Sequence, residues 1–202
     1  MPELVRKSLA QEQQEQKIET RTTMERIAGL TIGATAVAAL AVLVATAVYA
    51  QEKYSLKSPG GIAFSGFRGY EDWATVSSAR TDELLKVIVA NPTMITRYKA
   101  GVPGNGQPFP DGSMIVKLQW KPKKSTEAPF VVDVPDVFVQ AFVMEKDSKR
   151  FPKTGGWGYA VFNYEAASDK FTADAKSLSD CGYACHTPVK AKDYIFHPYQ
   201  KR

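Results

Sequence analysis

The segments SMIVKLQW (Ser113–Trp120), PFVVDVPDVFVQAFVMEK (Pro129–Lys146) and GGWGYAVFNYE (Gly155–Glu165) decide the fold class of this 202-residue chain. All are rich in the valine, phenylalanine, tyrosine and tryptophan that fit a pleated, half-buried surface. Within the second segment, the order VFVQAFVM indicates a strand with one face packed more tightly than the other. The sequence therefore predicts a mainly β (α+β) domain, an antiparallel sheet with a few short helices.

The flanking sequence adds further elements to this sheet. The apolar run Leu84–Val89 predicts a buried strand that Pro92 ends, and apolar residues at helical spacing predict a short helix over Thr93–Lys99. Gly101–Gly112 is a long loop rich in glycine and proline, of a kind that is often functional in a small domain. A short helical end is expected from Thr172 through the cysteines near the C-terminus.

The N-terminal part carries a segment that must meet lipid. Residues 27–50, IAGLTIGATAVAALAVLVATAVYA, contain no charge over 24 positions. The segment fits either a secretory signal cleaved before Gln51 or an uncleaved anchor long enough to span a bilayer. A polar stretch precedes it, and translation from Met24 would give a signal of conventional layout. Either interpretation predicts that the rest of the chain is exported to the periplasm.

These patterns predict three regions: residues 1–50 as a polar N-terminus with the signal or anchor, 51–68 as a linker, and 69–202 as the folded domain. Residues 1–50 contain five basic and five acidic side chains, so the net charge of +5 lies in the exported part. This excess is dispersed, and its densest cluster is KPKK at Lys121–Lys124. A nucleic-acid surface needs a longer basic face, so we expect no such partner.

The chain has only two cysteines, Cys181 and Cys185, and His186 follows the second directly. In an exported domain they are open to three chemistries: a disulfide, a metal site or covalent haem. A disulfide between residues four apart on a helix closes too short a loop to stabilise the fold much. Zinc needs further ligands, and His197 is the only other histidine. Covalent haem fits the cluster best.

In the usual haem-attachment motif, C-x-x-C-H, two thiols add to the vinyl groups and the histidine binds the iron. Here Gly182, Tyr183 and Ala184 separate the cysteines, which is one residue more than usual. Residues at i and i+4 lie on one helix face much as residues at i and i+3 do. The spacing therefore predicts one covalent haem c per chain, with His186 as iron ligand.

A second axial ligand would have to be His197, a methionine or a lysine. Met94, Met114 and Met144 lie in segments predicted to form the core, where packing is the simpler interpretation. His197 precedes Pro198 in a polar tail and is typical of a surface histidine. The sequence thus favours an iron with one protein ligand and an open face, suited to a small-molecule substrate or a diatomic gas.

Two stretches, MEKDSKRFPKTGGWGYAVFNY (144–164) and CGYACHTPVKAKDYIFHPY (181–199), resemble the cytochrome P-460 family of exported c-type haem proteins. The resemblance extends over residues 69–202, with weaker matches at VIVANP and DGSMIVK. It implies a mostly β fold, usually a homodimer, and a five-coordinate haem whose proximal ligand is His186. The best-known members oxidise hydroxylamine and carry a lysine joined to a porphyrin bridge carbon. The position that matches this lysine is Lys117, at the end of DGSMIVK.

Lys117 can also be interpreted from the strand alone. Alternation along residues 113–120 places it on one face with Ile115 and Gln119, where a solvent-facing lysine would be ordinary. Related β-type cytochromes c′ keep the fold, lack the cross-link and bind nitric oxide and carbon monoxide. The resemblance therefore implies an oxidoreductase that passes electrons to a soluble cytochrome, or else a gas-binding protein. A haem-free β domain with a local disulfide is the third possibility.

The oxidising members of the family also use a distal carboxylate to move protons, and no position of this chain matches it securely. The candidate carboxylates Glu145, Asp147 and Asp180 are each typical of surface charges. Some aromatic side chains are candidates to cap the haem pocket, although core packing is the simpler role for any one of them: Phe130, Phe138 and Phe142.

Overall fold

The computed structural model of the chain describes residues 14, 16–17, 19–21, 55–67, 69–176 and 182–200. The chain divides into two units, residues 1–51 and 52–202. In the first unit the described residues are helical, and Thr20 Oγ1 donates a hydrogen bond of 2.6 Å to Gln16 O. The predicted signal or anchor, residues 27–50, lies outside the described residues. Among those that are described, no helix has the length and apolar character needed to cross a membrane.

Six strands of the second unit form one sheet, and each strand pairs antiparallel with its neighbour in sequence. This order confirms the predicted mainly β, antiparallel architecture. The strands are β1 (Ala74–Arg80), β2 (Leu85–Ala90), β3 (Met114–Ser125), β4 (Val132–Lys146), β5 (Trp157–Glu165) and β6 (Lys170–Ala173).

The predicted short helix forms as α1, Pro92–Lys99, which starts one residue earlier than expected. Asn91 caps it, because its Oδ1 accepts hydrogen bonds from the backbone N of Met94 at 3.0 Å and of Met114 at 3.2 Å. The cap thus joins the start of α1 to the start of β3. Near the C-terminus a second short helix, α2 (Ala184–His186), runs into a 3₁₀ helix, Thr187–Lys192.

The expected helical end at Thr172 is wrong, because Thr172 and Ala173 belong to β6. The physical reason is burial of the preceding aromatic ring. Phe171 packs with its centroid 4.8 Å from Tyr164 on β5 and 4.7 Å from Phe64. A strand presents such a ring to its neighbours across the sheet, and this tertiary packing overrides local helix propensity.

The sheet has a hydrophobic core on each face, because successive side chains of a strand point to opposite sides. On β3, Ile115 belongs to the first core, with Trp157 and α1 residues, while Val116 and Leu118 belong to the second. The three candidate methionines are buried in these cores, as predicted: Met94, Met114 and Met144.

Residues 56–67 precede the predicted start of the domain, and they still contribute to its packing. Ile62, Phe64 and Phe67 are buried in the second core. Lys57 and Ala63 form an isolated antiparallel bridge that closes this segment onto itself. The exact boundary near Gly69 stays a prediction, but part of the predicted linker stabilises the sheet.

Candidate functional site

A cavity of about 290 Å³ lies on the sheet face of the first core. Strands β2 to β5 form one side of it and the C-terminal segment 182–197 forms the other. Its walls are largely apolar, including Ile88, Ile115 and Met144. The cavity walls also carry polar or metal-binding side chains, among them Lys117, Cys185, His186 and His197.

His186 sits at the end of α2, where it lines the cavity. Its Nδ1 lies 2.6 Å from the carbonyl oxygen of Tyr194. Since a carbonyl only accepts, Nδ1 carries the hydrogen and donates it, which assigns the free lone pair to Nε2. Burial lowers the pKa of His186, an effect that the Tyr194 hydrogen bond opposes and the charge of Lys117 reinforces. The lowered pKa therefore favours the neutral imidazole, which is the form that binds a metal.

Two aromatic rings fix the orientation of the His186 ring. The centroid of Phe196 lies 4.7 Å from that of His186, and the centroid of Tyr159 lies 5.4 Å away. Metal-binding histidines commonly donate their second ring N–H to a backbone carbonyl, which sets both tautomer and orientation. His186 has this arrangement, so it fits the role of an axial iron ligand.

Lys117 is half-buried on β3 and lines the cavity. Its Nζ lies 4.0 Å from the ring centroid of Phe142, its direct partner on β4. The alternative of a solvent-facing lysine is therefore wrong. Burial lowers the pKa of Lys117 most, the charge of Lys86 lowers it further, and Cys185 acts in the opposite direction. These effects increase the fraction of neutral amine, which is the nucleophilic form.

We expect the lowered pKa to be visible in chemical labelling of the protein prepared without haem. The rate of reaction of Lys117 with an amine-reactive ester should reach half its maximum below pH 10.5, the ordinary value for lysine. Mass spectrometry of the peptide that contains residue 117 measures this rate, and the variant Lys117→Arg shows the background. Half-maximal labelling at or above pH 10.5 would contradict the effect of burial.

Cys185 lies on α2 with an exposed side chain, and it contributes to the cavity wall beside His186. Cys181, the other predicted attachment site, lies outside the described residues. His197 is exposed, as predicted for a surface histidine, and it also lines the cavity. Over the part of the chain that is described, no group of three or more His, Cys, Asp or Glu side chains could hold a metal ion.

Of the three aromatic candidates, only Phe142 lines this cavity. Phe130 is 71% exposed, so it neither caps the pocket nor packs in a core. Phe138 packs against the second core, 5.5 Å from Trp120, which confirms the simpler role of core packing. The register explains Phe138: Gln119 pairs with Gln140 but Trp120 pairs with Phe138. The extra residue is a bulge that reverses the alternation of faces along β4.

The two candidate carboxylates that the structure describes, Glu145 and Asp147, form their contacts outside the cavity. Glu145 accepts a hydrogen bond of 2.8 Å from Arg150 Nη1. Asp147 accepts from the backbone N of Lys149 at 3.1 Å and of Arg150 at 3.0 Å, which shapes the turn after β4. Asp180 lies outside the described residues. These contacts agree with the prediction that Glu145 and Asp147 are surface charges.

A buried ion pair lies next to Tyr194, the hydrogen-bond partner of His186, and it was not predicted from the sequence. Lys146 Nζ lies 2.7 Å from Asp193 Oδ1, with both side chains less than a tenth exposed. The only signal in the sequence was that both residues lie in stretches that resemble the family, Lys146 in KDSKRF and Asp193 in KAKDY. Because such stretches also contain ordinary surface charges, the pattern did not distinguish these two residues from their neighbours.

The site thus has a neutral histidine with a defined tautomer, a thiol beside it, a half-buried amine and apolar walls, which fits a largely apolar iron cofactor. A search of curated proteins found no match. Residues 67–197 match the model of the family described as Cytochrome P460, a range that contains all six strands and the cavity walls. The match covers more than half of the chain and confirms the resemblance, so this chain belongs to the cytochrome P460 family of haem cytochromes.

Proposed function

We propose that the chain is an exported mono-haem c-type cytochrome that oxidises hydroxylamine toward nitric oxide or nitrous oxide. One observation carries the proposal: Lys117 on β3 lines the same apolar cavity as Cys185 and His186 on α2, although it is far from them along the sequence. These residues are the ones that the sequence resemblance assigned to the cofactor.

In this proposal Cys181 and Cys185 bind the cofactor through thioether bonds, and His186 binds the iron through Nε2. The Tyr194 carbonyl keeps the remaining ring proton on Nδ1, at 2.6 Å. When bound, haem would supply an electron-accepting iron with one open coordination position. The apolar walls exclude water and keep the neighbouring polar groups in a low-dielectric environment.

The role proposed for Lys117 is a covalent bond from Nζ to a porphyrin bridge carbon. Burial supports this role, because it favours the neutral amine that can form the bond. The bond replaces one N–H and one C–H bond, so two electrons and two protons leave. An oxidant of the peroxide class would take them up and yield water.

A second function, binding of nitric oxide or another diatomic gas without turnover, has its own support. The ring of Phe142 lies over Lys117 Nζ at 4.0 Å, which shields the amine. The described walls are mostly apolar side chains, and such walls suit a small uncharged ligand. Lys117 decides between the two functions, since only the first requires the cross-link.

The proposal also includes the partners and the location expected from the sequence. Hydroxylamine loses three electrons and three protons on the way to nitric oxide, so turnover needs an electron acceptor, and a soluble cytochrome is the one we propose. Export to the periplasm, with or without an anchor at residues 27–50, and a homodimer complete the proposal.

The first test is a mass spectrum of the intact exported protein, followed by peptide mapping under denaturing conditions. Haem mass on the Cys181–His186 peptide that is also joined to the Lys117 peptide would support the oxidising enzyme. Haem on the cysteine peptide alone would support the gas-binding function. A protein without haem, made in a host able to attach it, would exclude both.

Replacing Lys117 by alanine is expected to lower hydroxylamine oxidation by roughly 100-fold or more, the scale typical for loss of a catalytic group. Binding of nitric oxide should be retained, and the absorption spectrum should change because the cross-link is absent. Lys86→Ala, which removes the neighbouring charge but leaves the cavity amine, is the matched control and should keep activity. An unchanged spectrum in Lys117→Ala would show that no cross-link exists.

A further inference from the structure

The buried ion pair of Lys146 and Asp193 joins four parts of the domain. Lys146, at the end of β4, also donates to the carbonyl of Gly155 at 2.9 Å, while its bond to Asp193 Oδ1 measures 2.7 Å. The other oxygen, Asp193 Oδ2, accepts from the backbone N of Phe109 at 2.7 Å. Both charges therefore have hydrogen-bond partners inside the protein, which is the condition for burying them at all.

A buried ion pair is weak evidence for stability, because desolvation offsets the attraction between the charges. Its geometric effect is clearer. Asp193 and Tyr194 have φ of 48° and 64°, left-handed values that non-glycine residues adopt only where the surroundings hold them. Two such residues in succession reverse the chain after the 3₁₀ helix. The reversal brings the Tyr194 carbonyl to 2.6 Å from His186 Nδ1.

The backbone of Gly155 packs against the same turn. A Cβ atom there would lie only 2.3 Å from Cε2 of Tyr194, so the Tyr194 ring packs directly on the Gly155 backbone. The carbonyl of Gly155 in turn accepts from Lys146. Gly155 therefore constrains both residues of the left-handed turn. Asp193 is linked to it through Lys146, and Tyr194 packs on it through its ring.

We propose that Lys146 and Asp193 are positioning residues that set the hydrogen bond between Tyr194 O and His186 Nδ1. This inference rests on the proposed function, since it takes His186 as the iron ligand. A stronger bond at Nδ1 makes the imidazole more basic and strengthens its bond to a metal at Nε2. The pair would therefore tune the bond between iron and His186, although neither side chain lines the cavity.

The test compares two variants that differ only at position 193, in the exported haem-loaded protein. Lys146→Gln/Asp193→Asn removes both charges, keeps the hydrogen-bonding groups, and keeps a residue type that tolerates left-handed backbone. Lys146→Gln/Asp193→Ala removes the hydrogen bonds from residue 193 as well. The readout is the iron–histidine stretching band of the ferrous protein in resonance Raman spectra, which mere stability does not move.

We expect the band of the alanine variant to shift to lower frequency, while the asparagine variant stays close to the unmodified protein. The control Glu145→Gln/Arg150→Gln, which neutralises the adjacent half-exposed pair, should not shift it. An unshifted band in the folded alanine variant would overturn the proposal. If that variant does not fold, Lys146→Gln/Asp193→Gly replaces it, because glycine adopts the left-handed turn without strain.

A failure of the proposed function would look different. An unmodified protein without any iron–histidine band would remove His186 as iron ligand, whatever the ion pair does. The positioning role is then measured in haem-free protein from the ¹⁵N chemical shifts of the His186 ring. Loss of the Nδ1–H tautomer in the alanine variant, with retention in the asparagine variant, is the expected result. Identical shifts in both variants would overturn it.

Discussion

Replacing Lys146 by methionine is expected to lower the free energy of unfolding by about 3–5 kcal/mol, the scale of removing one partner of a buried ion pair. The substitution leaves the Asp193 carboxylate buried, with a side chain only 9% exposed, and without its cation. Methionine fills a similar volume, so the loss reports the unpaired charge rather than a cavity. Urea denaturation followed by circular dichroism measures the change in midpoint at constant slope.

Two comparisons isolate the cause of that loss. Arg150→Met breaks the pair with Glu145, which is partly solvated, and should cost no more than about 1 kcal/mol. Lys146→Met/Asp193→Leu removes both charges and should recover most of the stability, since an apolar pair can replace a buried ionic one. Equal losses in Lys146→Met and Arg150→Met would show that burial does not control the energy of these pairs.

Replacing Gly155 by alanine should strongly destabilise the protein, because two separate costs fall on this position. The new Cβ would stand 2.3 Å from Tyr194 Cε2, and overpacking of this kind costs roughly 1–3 kcal/mol. Gly155 also has φ of 67°, and a left-handed backbone costs a non-glycine residue roughly 1–3 kcal/mol more. We expect a total of about 3 kcal/mol from these two effects, measured by thermal or urea unfolding.

Gly112 provides the matched control for this prediction. Its φ is 84°, and a Cβ built there would meet nothing within 4 Å. Gly112→Ala therefore carries the backbone strain without the collision, and should lose clearly less stability than Gly155→Ala. The double variant Gly155→Ala/Tyr194→Leu removes the colliding ring and should reduce the cost of the alanine. If Gly112→Ala and Gly155→Ala are equally destabilised, the contact with Tyr194 carries no energy.

The main features of the sheet could be predicted because they depend on local pattern. Runs rich in valine and aromatic residues predicted β3, β4 and β5, and simple alternation placed Lys117 on the face of Ile115. Alternation could not predict which of the two faces meets solvent. In the structure both faces of β3 are buried or half-buried up to Gln119, and Lys117 is half-buried because its face forms the cavity wall.

The errors arose where packing between distant segments decides the structure. The bulge opposite Trp120 reversed the face of Phe138 relative to Phe142, and a single extra residue of this kind leaves little trace in composition. Strand β6 forms because Phe171 finds partners on β5 and in the segment before β1. Tyr164 is close to Phe171 in the sequence, but Phe64 lies far outside any sliding window that contains Phe171.

The residues of the site could be predicted from a sequence motif, but the contacts that orient them could not. Cys185 and His186 were visible as neighbours, whereas the partner of His186 is a backbone carbonyl, that of Tyr194, whose direction no side-chain pattern encodes. The turn that aims this carbonyl contains non-glycine residues at positive φ, which sequence rules would not place there. The contacts that hold the turn, the ion pair of Lys146 with Asp193 and the packing of the Tyr194 ring on Gly155, form only in the folded chain.

The sequential order of the six strands also has a consequence for the route of folding. Pairing between sequence neighbours closes short loops, and domains dominated by such contacts reach the native topology quickly. The segment 182–200, which carries His186, follows every strand in the chain. During synthesis from the N-terminus, the strands are therefore complete before this segment emerges. The sheet wall of the cavity is thus complete in the chain before the segment 182–197, which forms the opposite wall.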